Sequence, residues 1–512
     1  MILGRTPFGK NARNCIFASS ALARIFAGRC SRATVALGLM LMAAGVGSAH
    51  AANIQNLDLG KNALVWFAED HTLPIIAFNI SMPAGSSYDP AGKGGLAQFA
   101  ASMIDEGAGN LDSKAFHEAL ANKAIAFSAR ADRDYLVISV STLKENAPEA
   151  MRLLQLALTR PRFEAEAMTR VRAQIVQSLQ QEQVEPPRVA SRAFMRAFFN
   201  GHAYAHPTSG EIDSISGITA GDLRGFARGH WVKAGLKVSV AGDITAPALV
   251  KLLGTTFLPV SGAHVAPQPN VGKLGQPGMH VIPLPVPQAT VLFGLPGIMR
   301  HDPDFLPGYV ANYIVGGGGF SSRLTDEVRV KRGLTYGIST SLSSMNKASV
   351  MVGSVATRAD AVKQTVQVVR DTLATFAKDG PTQAELDDAK TYLTGSFPLA
   401  FASNSGTAAQ LGTFQRQNLD IGYVAGRNAL IQAVTLADVK RVSKKLFDPV
   451  RMTIVIGGTP GEAMRANRPL PPGAPVPARP ATAATTTPGV PPKPADKPVS
   501  GPVTAPDAAK KP

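Results

Sequence analysis

Chemistry-bearing residues are sparse in this chain. It has nine histidines and two cysteines, and both cysteines, Cys15 and Cys30, fall near the N-terminus. That spacing excludes a disulfide scaffold and a zinc ribbon. His117-Glu118 is not followed by a second histidine one helical turn on, because Ala121 stands there. A metal site built from Asp105 and His117 is the weaker alternative. His202 and His206 have a metal-like i, i+4 spacing, but they sit in NGHAYAHPTSG, a Gly/Pro-bounded loop that points to packing. Gly316, Gly317, Gly318 and Gly319 form a run with no G-K-[ST] after it, which rules out a P-loop. A turn that lets a peptide backbone approach closely fits better.

The elements that must position these residues follow from pattern. The chain has 512 residues, 45% hydrophobic and 17% charged, which allows two to four domains with real cores. Residues 1–51 read as a secretory signal. Arg5, Lys10, Arg13, Arg24, Arg29 and Arg32 precede an apolar run from Ala33 to Gly47, and Ala49-His50-Ala51 supplies a small-x-small cleavage site. The run is short of the ~20 residues a membrane span needs. Cleavage removes both cysteines and lowers the net charge from +16 to +10, with basic residues scattered. The expectations are a periplasmic location, no stable membrane span after cleavage and no nucleic-acid partner. Residues 466–512 form a tail rich in Pro and Ala that cannot build a core.

Between them the same plan runs twice: strand, strand, helix, helix, strand, helix, helix, strand. The first copy opens with ALVWFAED and PIIAFNISMPAGS and closes with LKVSVAGDI; the second opens with GMHVIPLP and QATVLFGLPG and closes with RMTIVIGG. The closing strands, at Val238 and Thr453, lie 215 residues apart. The expected fold is α+β, with two tandem homologous units at 52–260 and 279–465 and a Gly/Pro-rich linker at 261–278. Each unit is a mostly antiparallel sheet with helices on one face. Trp66 and Trp231 read as core or interface anchors.

Two segments carry a family resemblance. In GLAQFAASMIDEG, Leu96, Phe99, Ala100, Met103 and Ile104 make a core stripe, while Gln98, Ala101, Ser102 and Asp105 share another face. The segment resembles G-L-A-H-F-L-E-H-M of the pitrilysin/insulinase family of zinc peptidases, whose inverted motif is H-x-x-E-H. Gln98 stands at the first histidine, Ala101 at the glutamate base and Ser102 at the second histidine. Gln177, in AQIVQSLQQEQ, stands where the resemblance places the third ligand. A catalytic zinc needs three good ligands and a base for its water. These positions offer neutral or absent donors, so no metal is expected in this chain. The second segment, GGGGFSSRLTDEVRVKRGLTYGIST, resembles the family's G-G-x-x-S-R-L…R-E-x-R-G-L-A-Y signature. Arg329 and Tyr336 match its Arg/Tyr pair, which implies a cation and a phenol that hold the substrate carbonyl as it gains negative charge.

The resemblance implies a non-catalytic subunit forming half of a clamshell with an H-x-x-E-H-containing sister chain that holds the zinc. Arg329 and Tyr336 act on that partner's site, the four glycines approach an unfolded peptide substrate, and the assembly hydrolyses peptides. The reading from a different class is a peptide-binding or scaffold protein with no part in hydrolysis. An independent hydrolase with an unrecognised site ranks last.

Overall fold

The computed structural model describes residues 54–60 and 63–459. The segment 1–51, expected to be a secretory signal, and the tail 466–512 lie outside the described residues. The first half runs β1 (Ile54–Asp58), β2 (Ala63–Glu69), β3 (Ile75–Met82), α1 (Leu96–Ser102), α2 (Ser113–Asn122), β4 (Ala126–Ala131) and β5 (Leu136–Leu143). It continues through α3 (Ala147–Thr159), α4 (Ala165–Glu182), α5 (Pro186–Phe198), α6 (Ile212–Ser216), α7 (Ala220–His230), β6 (Leu236–Gly242) and α8 (Ala246–Phe257). The second half runs β7 (Gly278–Ile282), β8 (Gln288–Pro296), α9 (Phe305–Asn312), β9 (Ile338–Ser344), β10 (Ser349–Arg358) and α10 (Val362–Asp379). It ends with α11 (Gln383–Gly395), α12 (Asn404–Arg416), α13 (Gly422–Ala433), α14 (Leu436–Leu446) and β11 (Thr453–Gly457).

The repeat is real at the level of topology. The first sheet has the order β1-β2-β6-β3-β5-β4 and the second β7-β11-β8-β10-β9. Apart from the extra edge strand β1, the orders superimpose. In both sheets the opening strand pairs parallel with the closing strand, β2 with β6 and β7 with β11, and the remaining pairs are antiparallel.

Strand periodicity decides what covers each sheet. Successive side chains point to opposite faces. Val65 and Phe67 of β2 enter a core with α1, α3 and α8 of their own half, while Trp66 and Ala68 point the other way. Both sets are buried, so one layer of helices is not enough. The expectation of helices on one face is therefore incomplete. The second face of the first sheet is covered by α12, from the second half, through Ala408, Leu411 and Phe414. The second face of the second sheet is covered by α5, from the first half, through Val189, Ala193, Phe194 and Phe198. Trp66 is thus an interface anchor between the halves, and Trp231 is a core residue of the first.

Close approach makes this exchange specific. A Cβ on Gly412 of α12 would lie 2.2 Å from Asn79 Oδ1 on β3, and one on Gly457 of β11 would lie 2.7 Å from Pro186 O of α5. Ser239 Oγ of β6 donates to Ala408 O at 2.7 Å, and Gln415 Nε2 donates to Val238 O at 3.0 Å. The segment between the halves is also tied down: Gly275 N donates to Phe198 O at 2.9 Å, and His202 Nε2 lies 3.1 Å from Pro269 O.

The seam predicts an asymmetry between glycines. Gly412→Val should lower stability by roughly 1–3 kcal/mol through overpacking, read from the chemical-denaturation midpoint. Gly225→Ala, on α7 with nothing within 4 Å of the added carbon, should leave stability unchanged or raise it by about 0.5–1 kcal/mol. Equal losses at both positions would show that α12 does not pack tightly against β3.

Candidate functional site

The helix matching the zinc motif is built with care at its start. Gly95 has φ 89°, and a side chain there would meet Ile215 and Ser209 O within 2.8 Å. Asp89 supplies the acceptors for the free amides of α1: Oδ2 takes Gly95 N at 2.7 Å and Oδ1 takes Ala97 N at 2.8 Å. Burial pushes the Asp89 carboxyl up to about 7 against the pull of those amides.

The motif positions do not fit a zinc ion. Gln98 Oε1 accepts from Ala131 N at 3.0 Å, and its Nε2 donates to Ser102 Oγ at 3.2 Å. The amide thus stitches α1 to the edge strand β4 and engages the hydroxyl that would be the second ligand. Ala101 is 1% exposed and carries no donor atom. Gln177 is exposed on α4, which runs beside α1 with Arg172 over the Phe99 ring at 5.5 Å. A neutral amide, a methyl and a hydroxyl provide neither the ligands nor the base that zinc hydrolysis requires.

The neighbouring Asp105, Glu106 and His117 place one ligand atom each within 4.8 Å of one another. Glu106 and His117 already have hydrogen-bond partners in the fold. Glu106 accepts from Arg170 and, at 2.5 Å, from Ser113 Oγ. Burial raises the Glu106 carboxyl, and Arg170 with Ser113 more than reverses this, leaving it below its ordinary value. His117 Nδ1 lies 2.8 Å from Ser113 O, and its Nε2 lies 3.6 Å from Asp105 Oδ2. The cluster ties the turn after α1 to α2 and α4.

The Arg/Tyr segment has the opposite character. Residues Thr325–Val330 form a π-helical turn, closed by Lys331 N donating to Asp326 O at 2.9 Å. Lys331 pairs with Asp326 and Glu327 at 2.8 and 2.6 Å, and Arg332 pairs with Glu327 at 2.6 Å. The local acids are thereby consumed. Arg329 has no ion pair among the described residues, and its guanidinium lies 4.5 Å from the Phe320 ring centre. Tyr336 is 87% exposed and precedes the edge strand β9. Thr335 fixes the turn, its Oγ1 donating to Ala356 O at 2.6 Å. A structural role for Tyr336 as a packed strand residue is excluded by that exposure.

Comparison with known proteins now decides the family. Residues 64–211 match the profile of Insulinase (Peptidase family M16), and residues 217–393 match that of the Peptidase M16 inactive domain. The chain belongs to peptidase family M16. It is 28% identical over 354 residues to a protein of Helicobacter pylori named a non-peptidase homolog, covering 69% of this chain and 81% of the relative. It is 26% identical over 400 residues to an uncharacterized zinc protease of Streptomyces coelicolor, covering 75% and 86%. A crystal structure of a peptidase M16 inactive domain from Pseudomonas fluorescens superimposes with TM-score 0.76 at 29% identity, covering 81% of this chain and 100% of that one.

Within this M16 chain the four glycines differ in exposure. Gly316 is buried, and a Cβ there would lie 2.4 Å from Thr340 Oγ1 of β9. Gly316 is thus tightly packed against β9. Gly318 faces Tyr313 O, which would lie 2.9 Å from an added Cβ, and Gly318 N donates to the same oxygen at 2.7 Å. Only Gly317 and Gly319 are exposed. His202 is buried, accepts from Tyr204 N at 3.1 Å and lies against Pro269 O, as loop packing requires.

Sequence reasoning overlooked Arg323. Its Nε and Nη2 hold both oxygens of Glu385 at 2.7 Å, Nη2 also donates to Gly380 O at 3.1 Å, and its Cζ lies 4.9 Å from the Phe376 ring centre. This pins the π-helical turn, and with it Arg329, to α10 and α11. The one signal for it was its place in the S-R-L part of the signature. The bond to Arg323 is the main cause holding Glu385 at about 2. A depressed carboxyl stabilises the fold above its ordinary 4.5 and loses that contribution as pH falls towards 2. Arg323→Ala should cost roughly 1–3 kcal/mol at neutral pH and flatten the decline in thermal midpoint below pH 4.5. An unchanged acid limb would show that the pair does not hold the turn.

Proposed function

We propose that this M16 chain is the non-catalytic, substrate-binding subunit of a heterodimeric periplasmic zinc peptidase, offering Arg329 and Tyr336 to the zinc site of an H-x-x-E-H-containing sister subunit. One contrast carries the reading. The zinc positions are filled by side chains turned to structural use, while Arg329 is left unpaired and Tyr336 is left in solvent on a braced turn. A fold that had lost both functions would have no reason to expose a phenol and two further apolar side chains, Phe320 at 76% and Val330 at 66%, on one segment. The likeness to a Helicobacter pylori protein named a non-peptidase homolog, and to an inactive domain from Pseudomonas fluorescens, supports a chain without peptidase activity of its own.

The chemistry assigned to this chain is modest and specific. An unfolded peptide adds as a strand to a sheet edge, and β9, directly after Tyr336, is such an edge. The Arg329 guanidinium and the Tyr336 hydroxyl donate to the carbonyl oxygen under attack, where charge develops. Gly317 and Gly319 leave room for backbone to approach. Residues 1–51 supply the reason to place the assembly in the periplasm. No helix among the described residues is long and apolar enough to cross a membrane.

The test is reconstitution with the sister subunit. Arg329→Ala or Tyr336→Phe should lower peptide turnover by about 10²-fold while leaving the chain's own stability within about 0.5 kcal/mol. Unchanged turnover, with peptide still bound, would select the peptide-binding scaffold instead. The mature chain alone should hold zinc well below one ion per chain by elemental analysis and hydrolyse nothing. Chelator-sensitive hydrolysis by the single chain would overturn the proposal.

A further inference from the structure

Far along the chain from the Arg/Tyr segment, three arginines line one cavity without an acid. A surface cavity of about 470 Å3 is lined by Arg160, which follows α3, and by Arg224 and Arg228, one turn apart on α7. Leu158, Trp231 and Val260, each no more than 5% exposed, make an apolar floor. All three arginines are exposed. No carboxylate lines the cavity among the described residues. Nearby arginines outside it do find acids: Arg152 holds Glu149, and Arg162 holds Glu164.

Helix ends gather here, and cations are favourable at helix C-termini. Several carbonyls around these helix ends already have other donors. Ala227 O takes Trp231 N at 2.9 Å, Thr255 O takes Gln155 Nε2 at 2.8 Å, Leu258 O takes Lys233 Nζ at 3.3 Å and Arg160 O takes Gly109 N at 2.9 Å. Arg224 and Arg228 moreover form a like-charge i, i+4 pair, an arrangement that weakens a helix. Among the described residues none of the three guanidinium groups has an ion pair or hydrogen-bond partner.

We propose that this cavity binds a small organic anion. Its oxyanion group, phosphate or carboxylate, lies among Arg160, Arg224 and Arg228, and its apolar body rests on Leu158, Trp231 and Val260. Planar guanidinium groups match both oxyanions with paired hydrogen bonds. The volume lies in the range of small-molecule sites. This inference is independent of the role assigned to Arg329 and Tyr336.

Calorimetric titration of the whole mature chain tests it with four probes: phenyl phosphate, benzoate, inorganic phosphate and benzyl alcohol. Phenyl phosphate, benzoate or both should bind one to one, and which of them does so identifies the oxyanion. Benzyl alcohol should not bind, and inorganic phosphate should bind more weakly than phenyl phosphate. The double variant Arg224→Ala/Arg228→Ala should weaken binding about tenfold or more. Both positions are exposed on a helix and favour alanine, and an unchanged thermal melt would confirm that the fold is intact. The proposal is overturned if no aromatic anion binds, if the alcohol binds equally well, or if the double variant binds with unaltered affinity.

Discussion

Both sheets of this chain are apolar on two faces, and in neither half do its own helices cover both. The exchange of α12 and α5 resolves this. Each half lends one helix to the other's outer face, so Trp66, Ala77 and Ala241 are buried only because Leu411 and Phe414 arrive from the far end of the chain. Burial of apolar surface is the dominant favourable term in folding, and here a large share of it is conditional on the partner half. The halves are therefore not free lobes on a linker. Opening between them would strip α12 from β3 and β6, and it would take Ala408 O from Ser239 and Val238 O from the Gln415 amide.

That locked frame explains how a zinc site can be lost without losing the fold. Helix α1 has two independent faces. Leu96, Phe99, Ala100 and Met103 are all buried in the first core. Gln98 and Ser102 lie on the other side, where the Gln98 carbonyl receives the Ala131 amide of edge strand β4, whereas Ala101 is itself buried in that core. Asp89 and Gly95 still fix the start of the helix. Gln98 and Ser102 are only partly buried, so polar side chains are accommodated there without disturbing the core, and the Gln98 amide gains a bond to an edge strand.

The same separation sets what could be read from sequence. Strands and core stripes follow local periodicity, so β2, β3, β6 and their counterparts were legible, as was the loss of ligands at Gln98, Ala101 and Ser102. The exchanged helices were not. Their seats lie hundreds of residues away, α5 opens on two prolines, and α12 is rich in Gly, Ser and Thr, which weaken a local helix signal. The close packing of Gly316 on Thr340 was not legible, because a glycine needed for packing looks identical in sequence to one needed for a ligand. Arg323 was passed over because Glu385, which gives it meaning, follows 62 residues later.

Arg323 and Arg329 show how one short segment divides labour between like residues. The first is bound at both ends of its fork to a carboxylate, donates to a backbone carbonyl and lies over Phe376, so its charge is neutralised and its geometry fixed. The second sits where Lys331 and Arg332 have already taken Asp326 and Glu327. An aromatic face attracts a cation without neutralising it, so Phe320 can steady Arg329 while leaving its hydrogen-bond donors available. A guanidinium that must stabilise charge developing on another molecule needs this combination: held in place by a neighbour, and not already paired.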